Sequence, residues 1–439
     1  MTFRRSNLAL LFVGVLLTTT ASAEEYWNQY RGPHGDGTSR AKGLPTTWSD
    51  TEHIKWKTPF SSKEWKAWSS PVVWKDQIWF TNAPPFKAGP APRASKGVPA
   101  TTDDPTQLYA VCLDLETGKV VHNIKVFDIL HPQYCIDRNS YASSTPCIEE
   151  GRVYVHFGAH GTACLDTKTG QPIWQRQDLK CDHFRGAASS PILWQDLLIL
   201  TFDGFDFQYL TALNKETGAT VWRTDRKFDY GTDNGDAMKA YSTPQVVDTG
   251  KHLELISPSA GATAAYDPRT GKELWRVKSL GMNSACRPAI GNGMAFISTA
   301  DGGMQFFAVQ LGGSGDVTAS NVVWKQPKGA PRYSSPLFVD GLLYSSNEKG
   351  IVYCLDPATG ELLWDEKKLG GPFIPSPIFA DGKLYFFAED GKCFVLAPGR
   401  QFKLLATNTL TGGTIMASPA VAGKSLIVRT TEAVYRIEE

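Results

Sequence analysis

The sequence carries almost no excess charge of either sign. Its 439 residues include 45 Lys and Arg against 44 Asp and Glu, which leaves a formal net charge of +1. So small a net charge gives little attraction for a polyanion or an anionic membrane surface. No stretch interleaves basic and aromatic residues as nucleic-acid-binding surfaces do. We therefore expect no nucleic-acid partner.

The sequence also has little that could cross a membrane. The apolar run Leu8 to Leu17 is too short to span a bilayer at about 1.5 Å per residue. Two arginines precede this run, and the small residues of Ala21-Ser22-Ala23 follow it. This order is typical of a signal peptide. We expect residues 1–23 to be a cleaved signal peptide and the protein to be periplasmic or secreted, with no membrane insertion.

Familiar catalytic motifs are missing as well. There is no Gly-x-Ser-x-Gly nucleophile elbow and no phosphate-cradling Gly loop. His131, His156, His160 and His183 fall in or near one repeat, but no pair has zinc-ligand spacing, and we interpret them as structural. The sequence therefore identifies no catalytic residue, and we predict no metal ligand.

The eight cysteines favour buried thiols over a disulfide framework. Cys112, Cys164 and Cys354 each lie two residues before an Asp at the end of an apolar strand, where a small hydrophobic side chain fits. Cys135 and Cys181 lie at similar distances before two successive repeats. We predict that these two form the only disulfide, provided that their Cα atoms lie within about 7 Å.

A repeat runs through the whole chain after the leader. A small residue precedes Pro at seven places, and Arg takes that place once, which makes eight units of forty-odd residues with one longer first spacing. The eight steps are Ser70-Pro71, Thr145-Pro146, Ser190-Pro191, Thr243-Pro244, Arg287-Pro288, Ser335-Pro336, Ser376-Pro377 and Ser418-Pro419.

Each unit has the pattern of four short antiparallel strands. After Pro comes an apolar run, and then a tight polar turn such as Asp340-Gly341, a strong hairpin signal. The third strand ends at an Asp, and a turn containing Thr-Gly leads to a fourth strand with Trp four residues after Gly. The clear cases are Thr169-Gly170 with Trp174, Thr217-Gly218 with Trp222, Thr270-Gly271 with Trp275, and Thr359-Gly360 with Trp364.

The pattern predicts an all-β fold, an eight-bladed β-propeller of four-stranded antiparallel blades. The last unit supplies three strands, and residues 53–57 before the first unit supply a spare one with Trp56. We expect this N-terminal strand to close the ring in the last blade, which removes an open edge. Residues 24–52 would be an extended segment and residues 53–439 the propeller, with a Pro-rich loop insertion at 82–107. We expect a monomer.

The Trp residues of the fourth strands fit a structural role. Trp56, Trp174, Trp222, Trp275 and Trp364 recur at one position of the repeat. Large aromatic side chains at that position can fill the widening space between neighbouring blades. We predict that these residues are buried between blades.

The Thr-Gly-x-x-x-Trp turn and the Ser-Pro strand starts resemble the pyrroloquinoline-quinone (PQQ) repeat. That repeat builds the eight-bladed quinoprotein dehydrogenases and an eight-bladed lipoprotein of the outer-membrane β-barrel assembly machinery. The resemblance implies PQQ with calcium as possible cofactors. The sequence departs from the dehydrogenase pattern because it has no two adjacent cysteines and no clear counterpart to their calcium ligands.

The repeat is less regular in three blades. The first has His122 in place of Trp, the fifth sets Trp324 out of register, and the seventh has Lys403 at the Trp position. The segment Tyr30 to Gly37 resembles the leader of a broad group of exported PQQ-like repeat proteins. It adds little about function.

The entry loops, which are the residues just before each small-residue–Pro step, surround one mouth of a propeller channel. Six of the eight contain Lys or Arg, and several add an aromatic residue. This pattern predicts a basic, aromatic ring that suits a flat or carboxylated ligand or an acidic segment of a partner. The predicted ligand-binding residues are Lys66, Trp68, Arg138, Tyr141, Arg185, Lys239, Tyr241, Arg287, Arg332 and Tyr333.

Two acidic stretches offer an alternative site. Residues 203–206 and 229–236 place Asp and Asn between glycines, an arrangement that can wrap Ca²⁺, although the spacing is not that of an EF-hand. Turn formation is the simpler interpretation.

Two functions remain open at this point. The first is an exported propeller that binds a protein partner or an anionic small molecule at the channel mouth without catalysis. The alternative is a PQQ-dependent oxidoreductase of alcohols or sugars. Basic and aromatic mouth residues favour the second, and the missing adjacent cysteines and short chain favour the first.

Overall fold

The computed structural model describes residues 25–89, 99–326, 328–365 and 367–439. The predicted signal peptide and residues 90–98 of the Pro-rich insertion lie outside these ranges. Within them the chain consists of strands and loops, with a single 3-10 turn at Gly235–Met238. No helix of the described residues is long and apolar enough to cross a membrane.

The strands form eight antiparallel blades, which confirms the predicted fold. Blades 1 to 4 are Val72–Trp74, Gln77–Asn82, Thr106–Asp114, Val120–Ile129; Cys147–Glu149, Arg152–His156, Thr162–Asp166, Pro172–Arg176; Ile192–Trp194, Leu197–Asp203, Gln208–Asn214, Thr220–Asp225; and Gln245–Asp248, Leu253–Pro258, Ala262–Tyr266, Glu273–Lys278. Blades 5 to 8 are Ala289–Gly291, Met294–Ser298, Phe306–Gln310, Val322–Gln326; Leu337–Val339, Leu342–Ser346, Ile351–Leu355, Lys367–Lys368; Ile378–Ala380, Lys383–Phe387, Lys392–Leu396, Leu404–Thr409; and Ala420–Ala422, Ser425–Arg429, Ala433–Ile437, Ile54–Pro59.

The N-terminal strand closes the ring as predicted. Ile54–Pro59 pairs antiparallel with Ala433–Ile437 and so supplies the outer strand of blade 8. Two short strands add to other blades in parallel: Gly315–Asp316 on the outer strand of blade 4, and Thr38–Ser39 on the inner strand of blade 7. Each additional strand covers a sheet edge that would otherwise be open.

Hydroxyl groups at the small-residue–Pro steps connect neighbouring blades around the channel. The backbone N–H of the residue before Pro donates to the side-chain oxygen of the equivalent residue in the next blade. These bonds, of 2.9 to 3.0 Å, run from Ser70 to Thr145, Thr145 to Ser190, Ser190 to Thr243, Arg287 to Ser335, Ser335 to Ser376, Ser376 to Ser418 and Ser418 to Ser70. Arg287 has no hydroxyl to offer Thr243, so this hydroxyl ring is open at one place.

Six of the eight blades also contact the next blade through a Trp at the outer-strand position, while blades 1 and 7 have His122 and Lys403 there. A Cβ added to Gly271 of blade 4 would lie only 2.5 Å from the Trp222 ring, so the ring packs directly on this glycine. The Trp222 Nε1 donates to the carbonyl of Pro268. Trp174 packs in the same way on Gly218, and Trp56 on Gly118. The Thr-Gly turn therefore needs glycine both for its positive φ and for the neighbouring indole ring.

Burial of the five predicted Trp residues varies. Trp222, Trp275 and Trp364 are buried, whereas Trp56 and Trp174 are half-buried. Trp275 has no partner for Nε1 among the described residues, because residues 311–315 replace the Thr-Gly turn of blade 5.

Trp324 is out of register in the sequence pattern, but in the structure it occupies the same position as the other outer-strand Trp residues. It pairs with Ala308 as Trp222 pairs with Ala212 and packs on Gly360.

The N-terminal segment crosses the face opposite the mouth, here called the underside. The carbonyl of Trp27 accepts the N–H of Val73 in blade 1, and that of Asn28 accepts the N–H of Ile148 in blade 2. The chain then crosses the channel at Tyr30 before it reaches blade 7. One extended segment therefore closes the underside of the channel.

A glycine substitution can test the contact between Trp and turn. Gly271→Ala and Gly250→Ala both place a Cβ at a positive φ in blade 4, +69° and +78°, but only the first meets an indole. Gly250→Ala should cost about 1 kcal/mol of unfolding free energy through backbone strain. Gly271→Ala should cost about 1–3 kcal/mol more because Trp222 must move. Urea unfolding measures both, and equal losses would contradict the packing.

Candidate functional site

The mouth of the channel holds a cavity of about 260 Å³. The hydroxyl ring surrounds its lower part and Tyr30 forms its floor, with the Tyr30 hydroxyl 3.0 Å from Ser376 Oγ and 3.3 Å from Ser335 Oγ. The cavity is therefore a closed pit. Six of the ten predicted ligand-binding residues line it: Trp68, Arg138, Arg185, Tyr241, Arg332 and Tyr333.

Each arginine of the cavity is paired with a carboxylate. Arg185 donates to Asp236 through two nitrogens, at 2.6 and 3.1 Å. Arg138 reaches Glu389 of blade 7 at 3.3 Å. Arg332 pairs with Asp301, which comes from a loop of blade 5. The expectation of a net positive ring is therefore wrong, because carboxylates from neighbouring loops balance the cations.

The two predicted lysines lie behind the cavity wall. Lys239 is buried, donates to the Tyr241 hydroxyl at 2.7 Å and lies 3.5 Å from Asp236. Burial lowers the pKa of Lys239 to about 8. Lys66 lies over the ring of Phe86 at 4.0 Å, and burial lowers its pKa as well. Both lysines support the rim without reaching the pit.

Arg287 and Tyr141 also lie outside the cavity. Arg287 replaces the Ser or Thr of the repeat step, so its side chain turns to the underside, where Nη1 donates to the Tyr30 carbonyl at 2.6 Å. Burial and the nearby Arg31 lower the pKa of Arg287 to about 10. Tyr141 is buried, and its hydroxyl donates to the Gln133 carbonyl. Their assignment to the mouth is corrected accordingly.

Two cavity residues, Asp301 and Tyr30, and the Arg138 partner Glu389 were missed because their signal lies outside the entry loops. Asp301 and Glu389 follow second strands, in the loops that share the mouth face with the entry loops. Tyr30 comes from the N-terminal segment on the underside. Asp301 is held from two sides, by Arg332 and by the Asn283 amide at 3.0 Å.

The acidic stretches do not form the calcium site that we considered. Asp203 is fully buried against Arg226, at 2.7 and 3.0 Å. Asp206 accepts two backbone N–H groups, and Asp236 bonds Arg185. Across the described residues no group of three or more His, Cys, Asp or Glu could hold a metal ion.

The predicted disulfide is not formed, since both cysteines are free and buried. The Cys135 sulfur packs against Gly186, and the Cys181 sulfur against Gly204 of blade 3. The two thiols therefore point to different neighbours although their loops are adjacent. Burial raises the pKa of Cys135 to about 12, so this thiol is unreactive near neutral pH.

Comparison with known sequences identifies two groups of relatives. A family model described as outer membrane protein assembly factor BamB matches residues 63–257 and 206–438. The BamB protein of Shewanella oneidensis is 24% identical over 245 residues, which cover 52% of this chain and 57% of that protein. The quinoprotein ethanol dehydrogenase of Pseudomonas aeruginosa is 32% identical over 149 residues, 30% of this chain and 22% of the enzyme. The chain thus spans between about a fifth and three fifths of these relatives.

Solved structures share the fold at low identity. BamB from Moraxella catarrhalis matches with a TM-score of 0.54 and 14% identity, over 80% of this chain and 93% of that one. Quinohemoprotein alcohol dehydrogenase from Comamonas testosteroni matches with a TM-score of 0.64 and 13% identity, over 96% and 81%. Both likenesses concern the propeller fold.

Two histidines beside the mouth are held neutral. Burial lowers the pKa of His156 to about 3 and that of His183 well below its usual value. His183 Nε2 accepts the N–H of Ala159 at 3.1 Å, which a protonated ring cannot do.

These histidines predict a loss of stability in acid. An unfolded chain protonates histidine near pH 6.5, so below that pH it binds protons that the folded chain does not, and the unfolding free energy falls. His156 alone should account for about 2 kcal/mol between pH 6.5 and 5. Urea unfolding of His156→Gln should show a shallower decrease, whereas the exposed control His131→Gln should follow the unaltered protein. A decrease unchanged in His156→Gln would contradict this assignment.

Proposed function

We propose a protein-binding role in outer membrane protein assembly for this chain, which belongs to the family described as outer membrane protein assembly factor BamB. The binding site would be the mouth cavity, and the partner a protein of the cell envelope. The predicted signal peptide, residues 1–23, would deliver the chain to the periplasm, where such assembly takes place.

The observation that carries this proposal is the balance of charge around an apolar pit. Arg138, Arg185 and Arg332 are each paired, so the rim presents both signs side by side. Ile374 and Met416 join the aromatic walls inside. A protein surface offers the complement to such a site, an apolar anchor with acidic and basic residues around it.

A PQQ-dependent oxidoreductase is the second candidate, because quinoprotein dehydrogenases are among the relatives and Asp301 lies exposed to the pit. The residues present do not fit the cofactor. PQQ is a flat polycarboxylate, but the arginines that could bind its carboxylates are already neutralised by Glu389, Asp236 and Asp301. The donor set for a calcium ion beside it is also lacking among the described residues.

Site-specific photocrosslinking tests the partner. A photoreactive phenylalanine in place of Tyr333, at the mouth, should crosslink in intact cells to a subunit of the outer membrane assembly machinery, because that side chain lines the pit. The same group in place of Val121, exposed on the outer strand of blade 1, is the control. Mass spectrometry identifies the adducts. Failure of the Tyr333 position to capture such a subunit, or equal capture from both positions, would contradict the proposal.

A titration distinguishes the second candidate. We expect calorimetry with PQQ, in the presence and absence of Ca²⁺, to show no saturable binding, because the rim arginines are already paired. Saturable binding of PQQ by the unaltered protein would instead favour the oxidoreductase.

A further inference from the structure

The underside of the propeller is covered unevenly by the N-terminal segment. In blades 1, 2 and 7 the N–H two residues after the repeat Pro points away from its own sheet and is bonded by this segment. The donors are Val73, Ile148 and Phe379, and the acceptors are the carbonyls of Trp27, Asn28 and Gly37. The consecutive residues Trp27 and Asn28 thus accept hydrogen bonds from the consecutive blades 1 and 2, and Gly37 of the same segment accepts one from blade 7.

Blades 3, 4 and 5 lack this cover. Their equivalent residues are Leu193, Val246 and Ile290, and all three line a groove of about 470 Å³ on the underside. The N–H of Leu193 meets the sulfur of Cys147 from blade 2. No carbonyl of the described residues accepts the N–H of Val246 or Ile290 from the groove side. The groove therefore exposes two strand-edge donors in the same arrangement that the chain's own segment fills elsewhere.

Buried polar atoms in the groove residues also lack partners. Gln29 Oε1, Gln245 Oε1 and Arg287 Nε have none among the described residues. Arg287 is only 2% exposed. The groove therefore lies over buried polar groups that the described residues leave unsatisfied.

The charge of the groove indicates the sign of its ligand. Asp36, Asp248 and Arg287 line it. Asp36 interacts electrostatically with the buried Arg287 and with Arg31. Asp248, which is exposed, forms no ion pair with a Lys or Arg of the described residues. The two carboxylates accept hydrogen bonds only from backbone or hydroxyl groups of nearby turns. Trp194 and Val247 add apolar wall. A basic side chain with an apolar neighbour fits these surroundings.

We propose that this groove, lined by Trp194, Val246, Asp248 and Ile290, binds an extended peptide segment of a partner protein that carries a basic side chain. Successive carbonyls of the segment accept the N–H groups of Val246 and Ile290, as Trp27 and Asn28 do for blades 1 and 2. The basic side chain lies against the Asp248 carboxylate. This site is on the opposite face from the mouth cavity and does not depend on the function proposed there.

The probe for this site follows from the chain's own segment, Tyr-Trp-Asn-Gln at 26–29. Two capped tetrapeptides, Tyr-Trp-Lys-Gln and Tyr-Trp-Glu-Gln, differ only in the charge of one side chain. Calorimetry on the full mature chain should show the Lys peptide binding at least about fivefold more tightly than the Glu peptide, since Asp248 attracts the first and repels the second. Amide exchange should slow at Val246 and Ile290 when the Lys peptide is bound.

Three variants locate the binding. Val246→Pro removes one edge N–H and should weaken the Lys peptide about fivefold, the usual effect of one hydrogen bond. Asp248→Asn should weaken it about threefold. Asp340→Asn changes the equivalent turn position of blade 6, outside the groove, and should leave the affinity unchanged.

The outcomes are distinct. Equal affinities for the two peptides, an unchanged affinity in Asp248→Asn, or exchange protection confined to the mouth would each overturn the proposal. Thermal unfolding establishes whether Val246→Pro folds. If it does not, the peptide pair and the two Asp variants decide alone.

Discussion

The hydroxyl ring around the channel is the interaction on which the rest of the structure depends. Each blade is a small sheet with two apolar faces, and neither face is covered without a neighbour. The Ser and Thr hydroxyls set the distance between inner strands, because each accepts the backbone N–H of the preceding blade. At Arg287 the hydroxyl is missing, and there the side chain binds the N-terminal segment instead. The one break in the ring thus becomes the anchor for the segment that closes the channel.

At the outer edge of the propeller, Trp residues form the contacts between neighbouring blades. Blades diverge with distance from the axis, so a side chain as large as Trp222 is needed to reach Gly271 of the next blade. Where the neighbour's turn changes, the contact changes with it: Trp275 keeps its burial but loses the acceptor for Nε1. Inner hydroxyls and outer indoles together hold both ends of five of the eight blade interfaces. At each of the other three interfaces one of the two contacts is kept.

The fold could be predicted from the sequence because its determinants are local. The Pro steps, the tight turns and the Thr-Gly turns are each defined by a few neighbouring residues. Their number along the chain gives the number of blades. The mouth was predicted only in part, because its charges meet across blades: Asp301 and Glu389 lie far in sequence from Arg332 and Arg138. The error at Arg287 has a positional cause. This residue directly precedes Pro288, whereas Arg332 and Arg185 lie four and six residues before their prolines, so Arg287 takes the place of a ring hydroxyl and not of a mouth residue.

The N-terminal segment gives the two faces of the propeller separate roles. Tyr30 closes the channel from below, so nothing that enters the mouth can reach the underside. The same segment covers the inner strands of blades 1, 2 and 7 and leaves those of blades 3 to 5 open. A ligand at one face therefore neither competes with nor passes to the other. With the channel closed, the propeller has a pit on one face and a groove on the other. The two proposed binding sites would therefore hold their partners on opposite faces.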